Sequence, residues 1–533
     1  MPENRVKVEN ADLNVQFTNI SARRNLTSGE NIAVSLGKVQ KYFDDLGDAA
    51  FKDVDNIPLE GSTNPISSQA AFSMNDRIIG LENKLDTKIY GFHINPNESD
   101  PYEAVTYIAD AVGMTPAKMG SSVFDYGSWE KVFFMPKPCM VKYDGTVDYY
   151  LDPNDFSKKL DGTASDIADP GYGGNAMMEW PKIWFKYVPG VADGEWSFYA
   201  SNSKIDSSYK CWCNINANNQ EIDHFYTAIY NGVKFSNYSS SATYVVGDTA
   251  IYDGKLYRCK TAISTAEEFD SSKWDIVTET APDTSKLRSI SGIMLTTKNG
   301  SDNTTAQQEI DAALANNTTA NVEWYTEVWS DRLLINDLLY LMGKSLDLQG
   351  TFGQGISSGS QDAKQSYVTG TLNNRGLFYG NITGTSTAVK VFGMENLWAL
   401  VWRRIAGCVN KQGTLLVKMT YNTADGSTAT SYNLDGTGYL NFGSVYTQNG
   451  YVTKMKADQE KGYIPSQAGT TGSGSSTYYC DYYYQATSST YYLLLGGRSG
   501  DGARCGFDVY LTVGASAANW TVSAALSLKN WGG

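Results

Sequence analysis

Histidine, the commonest acid–base residue, is scarce in this 533-residue chain. The chain has two histidines, in Gly91-Phe92-His93-Ile94 and Asp223-His224-Phe225. A Ser-His-Asp or Cys-His nucleophile needs an imidazole poised beside the attacking atom. Neither histidine lies in a nucleophile elbow or another catalytic pattern, so both read as structural or surface residues. Two imidazoles exclude a histidine-rich metal site. The 7 cysteines are odd in number and scattered, which is not a disulfide framework. Cys211-Trp212-Cys213 is too tightly spaced for the usual zinc pair, and all seven read as core thiols. Gly350-Thr351-Phe352-Gly353-Gln354-Gly355 has no following Lys-Ser/Thr to make a phosphate loop. No EF-hand loop occurs. The chain therefore reads as a protein without metal or cofactor, and not an enzyme. Paired carboxylates for glycoside hydrolysis leave no local motif, so polysaccharide cleavage stays open as an alternative.

Binding chemistry is far more prominent. Ser475-Ser476-Thr477-Tyr478-Tyr479-Cys480-Asp481-Tyr482-Tyr483-Tyr484, continuing through Tyr491-Tyr492, combines tyrosine with Ser, Thr and Gly. Tyrosine offers a large amphipathic contact area with few rotatable bonds, and the small residues adapt to a partner. The contact candidates are Tyr482, Tyr483, Tyr491, Arg498, Ser499, Tyr510 and Asn519. Phe507 and Trp520 read as core. The turn Asp501–Gly506 reads as frame, with Arg504 a structural cation.

The elements that must position these residues are mostly short. Gly 50 and Tyr 36 favour short strands and many turns over long helices. Length suggests roughly three or four domains. The net charge of -14 argues against a nucleic-acid partner. No run approaches the roughly 18 apolar residues of a membrane span, and the N-terminus has no secretory apolar core.

Residues 1–90 differ in texture. Thr27-Ser28-Gly29-Glu30 has capping-box spacing. Ile32, Leu36, Val39, Phe43 and Leu46 then form one helix face, and a linker runs from Asp53 to Pro65. Ala71, Met74, Ile78, Leu81 and Leu85 step as a short coiled-coil seam. A helical, self-associating stalk is expected. From Tyr90 the chain predicts short strands, including Lys131–Met135 and Ile183–Val188. Two helices are expected, over Leu333–Leu341 and Asn396–Ile405. In the second, Trp398, Val401, Trp402 and Ile405 share a helical face and read as core. Residues 236–280 predict a three-stranded unit with an Asp253-Gly254 hairpin and a third strand over Lys273–Val277. Stretches 350–388 and 422–444 predict surface loops.

Three stretches resemble known families. Leu46-Gly47-Asp48-Ala49-Ala50-Phe51 and Glu60-Gly61-Ser62-Thr63-Asn64-Pro65-Ile66-Ser67-Ser68 resemble the attachment and stalk segments of phage tail fibres, which typically trimerise. A larger part is similar to phage tail-tip proteins with a C-type-lectin-like domain, the group that includes targets of diversity-generating retroelements. It is carried by Pro138–Leu151, Met178-Glu179-Trp180-Pro181-Lys182-Ile183-Trp184, Lys286–Gly292, Phe392-Gly393-Met394-Glu395-Asn396-Leu397-Trp398, and Gly496-Gly497-Arg498 onward to Trp520. The insert resembles small carbohydrate-binding modules found beside chitinases, through Tyr244, Gly247-Asp248, Tyr252, Gly254-Lys255, Tyr257 and Trp274. It departs from them at Lys260–Thr265, where no exposed aromatic pair occurs.

The resemblances imply an α+β, β-rich, multi-domain protein. Residues 1–90 would be the virion attachment and helical trimerisation stalk. Residues 91–235 and 281–533 would form a lectin-like body with a C-terminal receptor-binding face, and 236–280 the inserted β module. Tyr252, Tyr257 and Trp274 are its glycan-binding candidates. The implied protein is a homotrimeric receptor-binding protein of the virion tail. Its partners would be other tail proteins and a host surface glycan or protein, without nucleic acid or membrane insertion. The calcium-site signatures of sugar-binding lectins are missing, so no calcium site is carried over. Formylglycine-generating enzymes share the lectin-like fold, but their paired cysteines find only Cys480 and Cys505 here, in unrelated contexts. A tail depolymerase and a bacterial surface adhesin remain the alternatives.

Overall fold

Aromatic and β-branched runs broken by glycine and asparagine turns build a β-rich body. The computed structural model describes residues 87–121, 123–295, 304–320, 322–359 and 367–530, with Val34, Lys38 and Lys41, which are helical. The remainder of the predicted stalk, including the Ala71–Leu85 seam, lies outside the described residues. Residues Glu82–Gly533 form one unit and Met1–Leu81 another. Among the described residues, no helix is long and apolar enough to cross a membrane.

Three large sheets carry the body. A four-stranded antiparallel sheet pairs Ile89–Ile94 with Val105–Ala109 and with Trp196–Ser201, which pairs in turn with Trp184–Pro189. A seven-stranded sheet spans distant chain segments. Its order is Val322–Thr326, Leu526–Asn530, His224–Ala228, Gly174–Pro181, Lys137–Lys142, Val147–Asp152 and Asp155–Lys159. A nine-stranded sheet holds most of the C-terminal third. It runs through Trp402–Lys411, Thr490–Leu495, Val509–Leu511, Tyr482–Gln485 and Gly450–Asp458. The last-but-one strand, Val522–Ser523, lies parallel to Trp402–Arg403.

The predicted helix over Leu333–Leu341 is present within Trp329–Gly343 and is buried at every position. Several of its buried polar side chains are partnered. Asn336 Nδ2 donates to the Tyr463 hydroxyl at 2.6 Å, and Asp337 accepts from the Tyr187 hydroxyl at 2.6 Å. The helix ends where Lys344 turns left-handed (φ 46°).

Two predicted elements differ. Residues Lys131–Met135 make turns, not a strand. The Met135 amide bends back to Val132 O at 3.3 Å, and Phe133 and Phe134 pack around Tyr90. Residues Asn396–Ile405 are not a helix; Trp402–Lys411 is a strand. Phe392, Asn396, Ala399 and Leu400 all have positive φ, which a right-handed helix forbids. Buried guanidiniums also capture the carbonyls a helix would use. Arg332 Nη2 donates to Leu397 O at 2.9 Å, and Arg403 Nη2 to Glu395 O and Asn396 O at 3.0 and 3.2 Å. Trp398, Val401, Trp402 and Ile405 are core nonetheless.

The insert forms the expected three-stranded sheet, Thr249–Tyr252, Lys255–Cys259 and Trp274–Thr278. Asp253 and Gly254 turn its hairpin with φ of 47° and 74°, the pair of positive values a two-residue type I′ turn needs. Its Ile251 and Leu256 pack with Val233, Phe235, Ile290 and Ile293, which lie outside 236–280. The stretches 350–388 and 422–444 are mainly turns where described, but Leu348–Phe352 is a short helix and Leu440–Ser444 an edge strand.

Candidate functional site

Strand alternation sorts the tyrosines. In Tyr482–Gln485, Tyr483 and Gln485 point inward while Tyr482 and Tyr484 face out. The parallel neighbour Val509–Leu511 sets Tyr510 beside Tyr484, with ring centroids 5.2 Å apart and planes 20° from parallel. On the other side Tyr451 pairs with Tyr482, edge to face at 5.2 Å. Tyr510 also meets Trp402 at 5.0 Å. A row of rings therefore crosses four strands of one sheet face.

The turn after Gly496-Gly497 borders this row. Arg504, exposed at the end of a 3-10 turn, lays its guanidinium carbon 4.5 Å above the Tyr482 ring. Asp501 starts that turn. It accepts from the Arg498 amide at 3.0 Å and lies 3.6 Å from Arg498 Nε. Burial raises the Asp501 carboxyl, against the attraction of Arg498. Gly506 (φ 123°) sits against the Asp481 carboxylate, where a Cβ would collide. That carboxylate accepts from the Phe507 amide at 2.9 Å, so Asp481 and Gly506 fix the turn together.

The candidate residues separate clearly. Tyr482 and Tyr510 stand in the row, and Arg498 is tied into the bordering turn. Tyr483 and Ser499 are each 1% exposed and must be withdrawn as contacts: Tyr483 points into the core, and the Ser499 amide bonds Leu400 O at 3.1 Å. Tyr491 alternates with Tyr492 and shares its face with the core residue Leu493, opposite the row; its hydroxyl meets Ser488 Oγ at 2.7 Å. Asn519 is exposed and closes its own turn, accepting from the Thr521 amide at 2.9 Å. Phe507 is core, whereas Trp520 is half-buried. Sequence reasoning passed over Tyr484, 39% exposed at the centre of the row, and also Tyr451 and Arg504. The alternation around Tyr483 carried the signal for Tyr484. The other two depend on strand register and turn geometry.

In the insert, Tyr252 is exposed and stacks on Phe269 at 4.0 Å. Tyr257 meets Phe269 edge-on at 5.0 Å. Trp274 is buried and supports the sheet from within. Phe269 supplies a ring that the Lys260–Thr265 stretch does not.

His93 lies within a hydrogen-bonded chain on the four-stranded sheet. Its Nδ1 is 3.0 Å from Ser197 Oγ, and its Nε2 is 3.5 Å from Glu195. Ser197 sits mid-strand, paired with both His93 and Val188, so its backbone belongs to the sheet ladder. A working nucleophile needs amides aimed at a developing oxyanion, which a mid-ladder serine does not offer. His224 lies 4.0 Å from Glu179, whose carboxylate accepts from the Tyr150 and Tyr226 hydroxyls at 2.9 and 3.0 Å. The seven cysteines are buried and unbridged, and burial raises the Cys480 and Cys505 thiols. Among the described residues, no three His, Cys, Asp or Glu side chains gather to hold a metal. No protein-family model matches the chain, and no curated protein matches it.

Proposed function

We propose that the protein is an adhesin of a phage tail, with the Tyr451–Tyr482–Tyr484–Tyr510 row as its receptor-binding face. The observation that carries this reading is the row itself: the exposed Tyr484 ring flanked on one sheet face by the half-buried rings of Tyr451, Tyr482 and Tyr510, bordered by a cation. Such rings contribute large contact area at low entropy cost, and clusters of Tyr and Arg dominate binding energy at interfaces. Residues 1–90 attach the chain to the tail as a trimer in this reading, and three copies raise weak single-site binding by avidity. The C-type-lectin-like identity of the body and the programmed variation of its C-terminal face belong to the same proposal.

The test is binding of purified, labelled protein to host cells. Tyr484→Ala is expected to weaken binding about tenfold or more, while Tyr491→Ala on the opposite face leaves it unchanged. Equal binding by native protein and Tyr484→Ala would sink the assignment. Release of reducing ends from host polysaccharide would favour the depolymerase alternative.

A further inference from the structure

We infer that the ligand of this face is an acidic glycan, with Arg504 reading its carboxylate while a neighbouring sugar meets the edges and hydroxyls of the tyrosines. The inference rests on the receptor-face reading above. Three observations converge on it.

The first is the ring geometry. Tyr484 and Tyr510 stack nearly in parallel on adjacent strands, so their planes share one orientation. Stacked on each other, the partly exposed rings turn their edges and hydroxyls outward, where the hydroxyls can donate to and accept from those of a sugar.

The second is the state of Arg504. Its guanidinium is exposed, and among the described residues no carboxylate lies within ion-pair distance of it. The nearest acidic neighbours are committed or withdrawn. Asp501 faces Arg498 and its amide. Asp508 is 2% exposed and attracts Arg504 from beneath the row without closing an ion pair with it. Stacking on Tyr482 holds the guanidinium plane in place, and its donor edge stays open for a two-pronged carboxylate contact.

The third is contrast. The chain carries a net charge of -14, which repels polyanions in general. A cation fixed at the edge of the aromatic row therefore marks the one end of this face where an anionic group is favoured. Lys204 is the informative comparison. It too is exposed and lies over a ring, 5.1 Å from Trp184 of the four-stranded sheet, but in the segment that follows Trp196–Ser201 and not at the Tyr484 row.

The probes are polygalacturonate and polysialate, each compared with its carboxyl-methylated form, using the full chain. Native protein is expected to bind an acid form and to lose about tenfold on methylation or in Arg504→Gln. Arg504→Lys should retain part of the affinity, and Lys204→Ala all of it. Equal binding of acid and methylated forms, no binding of either acid form, or an equal loss in Lys204→Ala would each overturn the inference. Loss of cell binding in Tyr484→Ala is scored separately. If that loss persists while Arg504→Gln is silent, the face still binds receptor and only its carboxylate chemistry is wrong.

Discussion

Glu327 serves two guanidiniums at once. Arg332 and Arg403 approach its two oxygens at 3.4 and 3.3 Å, and all three side chains are almost completely buried. One carboxylate cannot satisfy two forks, so the Nη2 donors reach the carbonyls of 395–397. This cluster fixes the left-handed segment that replaces the expected helix. Removing one member of a buried ionic group leaves uncompensated charge, at a cost of about 3–5 kcal/mol. Glu327→Gln should therefore lower stability in urea unfolding by that order. Lys260→Ala, which breaks an exposed 2.8 Å pair with Asp275, should cost below about 1 kcal/mol. Acid sensitivity resides in other residues. In Asp283-Thr284-Ser285, Oδ1 accepts from the Ser285 amide at 2.8 Å and its hydroxyl at 2.6 Å. Those bonds pull the Asp283 carboxyl down to about 2. A depressed carboxyl stabilises the fold above its unfolded pKa, about 3.9, and the contribution fades as pH falls through the folded value. The stability gap between native protein and Asp283→Ala should thus be full at neutral pH and narrow as pH falls toward 2. A gap independent of pH would contradict this. Asp144, Asp161 and Asp270 close similar turns and are depressed for the same reason.

At the scale of elements, patterns confined to one segment were readable. Asp253-Gly254 announced its hairpin because only left-handed-tolerant residues close a two-residue turn. The apolar run at 333–341 announced its helix. The 396–405 spacing misled, because helical period describes which side chains are buried and says nothing of backbone φ. There the deciding forces are Arg332 and Arg403, one of them more than sixty residues away in sequence. The same limit applied at the site. Alternation in Tyr482–Gln485 is local, yet Tyr451 and Tyr510 join the row only through strand pairing across the sheet. The insert shows what pairing adds. Its sequence boundaries look self-sufficient, but Leu256 completes its packing on Ile290, Ile293, Val233 and Phe235. Leu256→Ala should cost about 2–5 kcal/mol. An excised 236–280 fragment should show no cooperative unfolding, because four of the six buried residues of that cluster stay behind. A sharp melting transition in the fragment would show that the module holds its own core.

At the scale of the whole molecule, the seven-stranded sheet is closed by the end of the chain. Leu526–Asn530 slots between Val322–Thr326 and His224–Ala228, so a C-terminal strand sits between two others instead of at an edge. Leu526 and Leu528 pack in the cluster containing Trp324, Cys139 and Met177. On the other face, Lys529 Nζ donates to Asp331 at 2.6 Å and to Cys213 O at 2.6 Å. Asp331 is fully buried, and burial pushes its carboxyl up against the pull of Lys529. The Ser527 hydroxyl donates to its other oxygen at 2.8 Å. One strand thus joins the sheet ladder, an apolar cluster and the buried helix Trp329–Gly343. Lys529→Met should strip Asp331 of its cation and cost about 3–5 kcal/mol. Asp331→Asn in the same chain removes the stranded charge, so the double variant should be more stable than the sum of the two single losses predicts. Additive losses would mean the pair is not coupled. Deleting residues 526–533 should go further, splitting the ladder and opening the core. The expected signature is retained far-UV signal, lost near-UV aromatic signal and binding of a hydrophobic dye. Because the Tyr484 row lies on a different sheet, weakened cell binding by the truncated chain would report loss of the shared core, whereas Tyr484→Ala weakens binding with near-UV signal intact.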